Sequence, residues 1–466
     1  MEGSRGTVEA PLVVVGAGAC GMVAALAAAK RGTRTFLLEK GTEIGGNTAR
    51  STGLIPAAGT RFQHEVGVFD DSPRLMAHDI LRKNDHESDP ALTHLLCEES
   101  GPLVEWLVDE AGCEMVCYRD FLYPGQSRHR MHGPRDSYGT ELVRQLQGAV
   151  HEDPLITMHT NTPVNGLLFS DRRVTGVETG EGPLKAGAVV LALNGFGGDE
   201  GMVERYLGPE AASALYFGSP NNTGEGIRWG MDLGAATDRM ASYQGHASVA
   251  APDGPLVTWG LVVNGAILVN RRGHRFGCET VGYSEYAGSV LSQPGGEAWE
   301  IFDGKVHSAS LGTRFDEVIE AGKVTRSETP EDLARKLGLP AGALAETIAE
   351  TNRSACGETL DAFGREEFLG GPFEPPYYGI HVRGALFHTQ GGLRVDTRAR
   401  VLHPDNMPIP GLYAGGGTAV GVSGSGYRGY SSGNGLLAAT VLGKVAGEEA
   451  SGNRQQDQRF PETCNQ

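Results

Sequence analysis

The sequence predicts an α/β protein that opens on a nucleotide-binding unit, and three observations point there. In "PLVVVGAGACGMVAALAAAKRGTRTFLLEK" a hydrophobic strand runs into a glycine turn and then an alanine-rich helix. Glycine is very frequent, 69 of 466 residues, without a collagen-like period, which fits a backbone that approaches a ligand closely. The length suffices to bury a large core in two domains, one inserted in the other.

Taken in order, Leu12–Val15 forms the first strand and feeds Gly16, Gly18 and Gly21 of a G-x-G-x-x-G turn. Gly16 permits the tight turn, Gly18 lets the backbone reach a pyrophosphate, and Gly21 permits close packing of a helix that ends near Lys30. The helix N-terminus offers free N–H groups to phosphates. A second strand, Thr35–Leu38, ends in Glu39, where a carboxylate can accept hydrogen bonds from ribose hydroxyls. Dinucleotide binding follows; the alternative is a glycine-rich turn in an ordinary α/β unit. Residues Leu12 to Ala29 carry no charge, yet an acidic preceding segment and three glycines favour a buried strand and helix over a signal peptide or membrane span. A soluble, cytoplasmic protein is expected.

A second match to the glycine pattern, "GSGYRG" at Gly424–Gly429, has Glu448 at a suitable distance. That acid follows a helical stretch, Leu436–Gly447, rather than ending a strand, so the match is a decoy. One dinucleotide site implies FAD without a resident nicotinamide, so another molecule exchanges electrons with the flavin. The net charge of −17 argues against nucleic acid and anionic membranes as partners, while a few arginines can still make a local site for a small anion. The seven cysteines, Cys20, Cys97, Cys113, Cys117, Cys278, Cys356 and Cys464, contain no CxxC pair, which fits reduced thiols and no metal site.

Beyond Glu39 come "GTEIGGNTARSTGLIPAAG", "ALNGFGG" (Ala192–Gly198), "NNTGEGIRWG" (Asn221–Gly230) and "HTQGGLRVD" (His388–Asp396). With "GLYAGGGTAVGVSGSGYRGYSSGNGLLAATVLG" (Gly411–Gly443), the chain resembles the fumarate reductase/succinate dehydrogenase flavoprotein superfamily from about residue 11 to 447. The resemblance implies a Rossmann-like FAD-binding domain in two segments, 1–240 and 377–451, with an inserted α+β cap or substrate domain, 241–376, and a flexible tail, 452–466. The prolines of "GPFEPPYYGI" mark the re-entry. By the same resemblance Gly16, Gly18, Ala19, Cys20, Gly21, Glu39 and Lys40 would hold the adenosine diphosphate half. Gly45, Gly46, Asn47, Thr48, Ser51, Thr52 and Gly53 would line the pyrophosphate and flavin ring, and Val164 the adenine. Ala192, Asn194, Gly195 and Asn222 would add to the cradle, with Gly416, Ser432, Asn434 and Leu436 near the ribityl and isoalloxazine. The histidine that tethers flavin in some relatives has no counterpart in Gly45–Gly59, so non-covalent FAD is expected.

The reaction turns on "GHRFGCETVGYSEYA", Gly273–Ala287. In the fumarate-reducing branch an arginine shortly after a "GxRFxNE" segment donates the proton, fed by an upstream glutamate and a second arginine. Here the arginine position falls on Tyr283, the relay positions on Trp259 and Val262, and the "NE" on Cys278-Glu279. The resemblance is closer in site pattern to the 3-ketosteroid dehydrogenase-like desaturases of cyclic ketones. That branch keeps a tyrosine base in this region and a "YPGPG"-like stretch whose tyrosine hydroxyl and a following N–H grip the carbonyl. "YRGYS" stands in that place, with Tyr427 matching the tyrosine, Ser431 the N–H donor, and Arg428 replacing the proline. Removing hydrogens from adjacent carbons beside a ketone needs a hydride acceptor, a base and donors to the enolate oxygen.

Tyr283 would be the base; Tyr427 and the Ser431 N–H would hold the oxygen, each contributing about 3 kcal/mol in the transition state. A phenol of pKa about 10 is a weak base at neutral pH, so its phenolate must be stabilised or its proton relayed. Arg428 could grip a carboxylate on the same substrate, or else contact flavin or a neighbouring acid. His388 would touch substrate, or support the site from behind. Tyr430, Tyr123, Tyr138 and Thr258 are further candidates for the substrate wall, and for each tyrosine, Tyr283 included, packing is the alternative. The expectation is FAD-dependent α,β-desaturation of a small cyclic ketone, such as an oxocyclohexane or its carboxylate. The acceptor would be oxygen, a quinone or a carrier. The alternatives are reduction of an activated C=C in an unsaturated acid, and a flavin redox subunit that passes electrons to a partner protein.

Overall fold

The structure, a computed structural model, describes residues 9–119 and 122–457. The expected opening is present as strand β1 (Glu9–Val15), helix α1 (Ala19–Lys30) and strand β2 (Thr35–Leu38). β1 lies at the centre of a sheet ordered Arg400–Leu402, Pro408–Ala414, Gly182–Leu191, β1, β2, Ile156–His159. All but the first of these run parallel, Leu12 beside both Thr35 and Ala188. A parallel strand covered on both faces must be apolar throughout, which is why Leu12, Val13 and Val14 are fully buried.

α1 is buried on every side, and the long helix Asn434–Asp457 packs on it. Glycine makes that contact possible: a Cβ on Gly443 would stand 2.4 Å from the Cys20 carbonyl oxygen, and one on Gly447 2.1 Å from that of Ala24. Glu448 sits inside this helix, which disposes of the second glycine motif as a nucleotide site. The helix also carries 452–457, so that part of the expected flexible tail is regular structure; the remainder and Cys464 lie outside the described residues.

Contacts divide the chain into two compact units. The first takes the chain up to Tyr206, Gly218–Tyr243, and everything from His388; the second takes Leu207–Phe217 and Gln244–Phe387. The chain therefore returns at His388 rather than at 377. The physical reason is strand Tyr377–Thr389, which pairs with Glu297–Asp303 over seven positions, from Glu297 beside Arg383 to Asp303 beside Tyr377. The short strand Leu215–Tyr216 joins the same sheet beside Ala385 and Leu386, which draws 207–217 into the second unit.

The second unit is α+β. Ile267–Val269, Glu297–Asp303 and Tyr377–Thr389 form an antiparallel core to its sheet. Trp259, Val262, Tyr286, Phe302 and Phe315 fill its main apolar core, against which Tyr283 packs. A buried ionic clasp holds the segment before Tyr283. Arg275 binds Glu279 through Nη2 at 2.7 Å and also binds Asp361. Arg365 meanwhile donates to the carbonyls of Ala266 and Val262 at 2.8 and 2.9 Å. Among the described residues no helix is long and apolar enough to cross a membrane.

Candidate functional site

In the first unit the cradle is built mainly from backbone. Gly16 has φ +103°, and a Cβ there would stand 2.4 Å from the Ala192 carbonyl oxygen. Gly21 meets the carbonyl oxygen of Gly16 so closely that a Cβ would lie 1.8 Å from it. Around Gly18 the nearest atoms to such a Cβ are 3.7 Å away, and around Gly46 none lies within 4 Å. Open space at the turn and close packing behind it are what a pyrophosphate site requires.

The side chains around the turn hold its shape. The Ala19 N–H donates to Thr48 Oγ1 at 3.1 Å, tying the start of α1, with its buried Cys20, to the segment Gly45–Arg50. Ser51 Oγ donates to the Thr48 carbonyl at 2.7 Å and accepts the Gly53 N–H at 3.0 Å, while the Thr52 carbonyl accepts Ser137. Glu39 accepts the N–H of Ala17 at 3.0 Å and that of Gly41 at 2.9 Å, so it braces the turn. Lys40 is engaged by Glu225 at 2.6 Å. Asn47 Oδ1 accepts both the Ser219 N–H and the Asn222 amide, at 2.6 and 2.8 Å. Asn194 takes φ +64° and its side chain accepts the Gly195 N–H at 2.9 Å. Val164 opens the strand Val164–Ser170, and Gly416, at φ +59°, opens a short turn of helix beside Cys20.

The C-terminal loop of this unit supplies polar atoms that find no partner among the described residues. Ser431 Oγ, Ser432 Oγ and both amide atoms of Asn434 are buried there without a hydrogen bond, although burying such groups unpaired is costly. Asp79, Gln126 and Arg130 line a small cavity with them. Arg130, itself buried, is held by Asp71 at 2.8 Å and Asp79 at 2.7 Å. This combination of glycine cradle and orphaned amide fits a bound dinucleotide whose ring system would complete the pairing. Leu436 is half-buried just inside the same helix.

His388 and Tyr430 come together in this unit, ring centroids 6.1 Å apart and edge to face. Burial pushes His388 down to about 4, so the ring is neutral at pH 7, and Gln390 Nε2 lies 3.0 Å from its Nε2. Tyr430 is buried, Tyr427 is half-buried with Tyr243 edge-on at 6.0 Å, and Arg428 is exposed. Tyr123 and Tyr138 are half-buried; Tyr138 stands at the N-terminus of the helix Gly139–Glu152.

The second unit holds Tyr283 on the first turn of the helix Tyr283–Leu291. Its ring stacks on His246 at 4.9 Å and 21°, and Phe387 covers the same imidazole at 5.1 Å and 19°. Trp259 meets both rings edge-on. Burial takes His246 down to about 3, so it too is neutral. Trp259 and Val262 are 4 % and 0 % exposed, so apolar core stands at both relay positions. Thr258 Oγ1 accepts the Gly260 N–H at 3.2 Å, just ahead of the short helix Gly260–Val263. Sequence reasoning missed His246, Gln390 and Arg130. Only Gln390 lay inside a quoted motif; a lone histidine in a strand and an arginine among others carry no spacing signal.

The chain matches the family described as FAD binding domain over residues 12–436. It belongs to that family. The flavoprotein is 31 % identical over 449 residues to "Fumarate reductase (cytochrome)" of Shewanella frigidimarina, covering 94 % of this chain and 76 % of the relative. The open conformation of a flavocytochrome c3 fumarate reductase superposes with a TM-score of 0.81 at 30 % identity, over 96 % of this chain and 78 % of that one. A 3-ketosteroid-Δ4-(5α)-dehydrogenase from Rhodococcus jostii RHA1, solved with 4-androstene-3,17-dione, gives 0.75 at 25 % identity, over 97 % and 98 %. The protein is thus an FAD-dependent oxidoreductase of the fumarate reductase flavoprotein superfamily, with the cradle residues above available to hold the cofactor.

Proposed function

We propose that this flavoprotein desaturates a small cyclic ketone at the α,β position. The observation that carries the reading is Tyr283, stacked on a neutral His246, where the fumarate-reducing pattern has an arginine. The replacement of its proton relay by the buried Trp259 and Val262 supports the same reading.

FAD, when bound, supplies the hydride acceptor for the β-hydrogen. Tyr283, as its phenolate, takes the α-proton on its oxygen as the carbon–carbon double bond forms and so becomes the neutral phenol. Tyr427, through its hydroxyl, and Ser431, through its N–H, donate to the carbonyl oxygen and so stabilise the enolate-like charge. One substrate thereby loses one proton and one hydride. His388 is neutral and offers no cation to a carboxylate, which suits a ketone oxygen better than a dicarboxylate. Arg428 is exposed in the loop and would serve a substrate carrying one carboxylate beside its ketone.

The second reading is reduction of an activated C=C bond, favoured by the Shewanella relative's name and by microscopic reversibility, since a tyrosine that accepts a proton can also return one. Anaerobic mixing of the oxidised holoenzyme with cyclohexanone and 4-oxocyclohexanecarboxylate separates the two. Bleaching of the flavin band is expected. No bleaching with either ketone, together with reoxidation of the reduced enzyme by fumarate, would overturn the desaturase.

A further inference from the structure

Within the second unit, Glu300 is a buried acid that the reaction above does not use. It lies on the strand Glu297–Asp303 with 0 % exposure. Its Oε2 accepts the Ser248 hydroxyl at 2.7 Å, while Oε1 has no hydrogen-bond partner among the described residues. An apolar side chain would cost less there, because a carboxyl out of water with half its hydrogen bonding unmade is expensive.

The charges near it are committed elsewhere. Glu279 accepts the N–H of Leu268, the residue that pairs with Glu300 across the sheet, and is neutralised by Arg275; Arg365 spans two carbonyls nearby. Burial lifts the Glu300 carboxyl to about 8, with Glu279 adding to the rise, so it is neutral at pH 7.

Ser248 connects this acid to the aromatic stack. Its backbone N–H donates to His246 Nδ1 at 3.1 Å. A ring nitrogen that accepts carries no proton, so the proton of the neutral imidazole is on Nε2. The ring that Ser248 orients in this way is the one lying between Tyr283 and Phe387.

We infer that Glu300 is a positioning residue for Tyr283, acting through the Ser248 hydroxyl and the orientation of the His246 ring. The inference rests on Tyr283 being the proton-transferring group, but the chain of contacts can be tested without turnover. The variants are Glu300→Leu, Ser248→Ala and Glu300→Gln, whose amide oxygen can still accept the serine hydroxyl. In FAD-loaded protein labelled with 15N-histidine and 13Cζ-tyrosine, His246 should show a single Nε2–H tautomer. The Tyr283 resonance is assigned by its loss in Tyr283→Phe. Glu300→Leu and Ser248→Ala should shift or broaden both signals, and Glu300→Gln should restore them.

In anaerobic reduction by cyclohexanone, the first two variants should slow the flavin step by about 10–100-fold with little change in KM, with Glu300→Gln near wild type. If Glu300→Leu does not fold, Ser248→Ala carries the test. Unchanged His246 and Tyr283 signals in Ser248→Ala would overturn the inference. Equal losses in Glu300→Gln and Glu300→Leu would also overturn it, since they report a general disturbance of the core. If wild-type flavin is not reduced by any ketone, the desaturase reading fails, and the spectra alone decide the positioning role.

Discussion

The glycine turn of the first unit and the Tyr283 stack of the second do comparable jobs in different materials. At the turn, geometry comes from what is missing: at Gly16 and Gly21 there is no side chain, so that backbone meets backbone and a Cβ would fall as close as 1.8 Å to a neighbouring oxygen, while Gly18 leaves open space. At the stack, geometry comes from large rings whose orientation is passed along from a buried acid through a serine. Local chain geometry makes the first, and residues far apart in sequence make the second. The packed glycines of such a turn, Gly16 and Gly21, tolerate no added atom, whereas a stack tolerates substitution but loses alignment.

The largest expected effect breaks the first member of that pair. Gly21→Ala forces a Cβ into the Gly16 carbonyl and should abolish FAD retention, read as loss of flavin absorbance in purified protein that is otherwise folded by circular dichroism. Breaking the second member should leave cofactor binding untouched. Tyr283→Phe keeps the ring on His246 and removes only the hydroxyl, so FAD stays bound while the rate of flavin reduction by ketone falls about 10²–10⁴-fold. Near-normal reduction would return Tyr283 to a packing role.

Smaller effects sharpen the contrast. Gly443→Ala pushes the last helix off the Cys20 carbonyl and should lower stability by about 1–3 kcal/mol in urea titration, with flavin present in the folded fraction. The second unit answers instead to pH. Glu300, raised to about 8 from 4.5, contributes stability that is present below pH 4.5 and lost as pH rises through 8. His246, and in the first unit the buried His132, lowered from 6.5 to about 3 and about 4, contribute stability that is present above pH 6.5 and lost as pH falls. Between pH 6.5 and 8 the Glu300 contribution therefore stands apart from theirs. Urea midpoints should fall across this window, equivalent to about 1–2 kcal/mol, and the slope should flatten in Glu300→Gln. An equal slope in that variant would count against the raised carboxyl.

How much was legible follows the same division. The β1–α1–β2 unit could be read because a strand, a glycine spacing and a terminal acid all lie within one short stretch, and the structure places their ends as expected. Even there Glu39 brings a surprise, bracing Ala17 and Gly41 as well as being available to a ribose. Tyr283 could be singled out because an arginine was missing from a patterned segment. His246 could not, since a histidine gains meaning here only from Ser248 beside it and from two rings supplied by other elements. The return of the chain was misjudged by eleven residues because prolines mark where a helical stretch stops, while the pairing partner decides which sheet the following strand joins.

By itself, then, the sequence determined the nucleotide unit, its family and the tyrosine that replaces an arginine, because these rest on local backbone preference and on motifs contiguous in the chain. Only the tertiary structure decided that both key histidines are neutral, that the side-chain polar atoms of Ser432 and Asn434 have no hydrogen-bond partner among the described residues, and that Glu300 meets Ser248, whose N–H holds His246. Protonation, unmet hydrogen bonds and ring orientation depend on burial and on neighbours distant in sequence, and those exist only once the chain is packed.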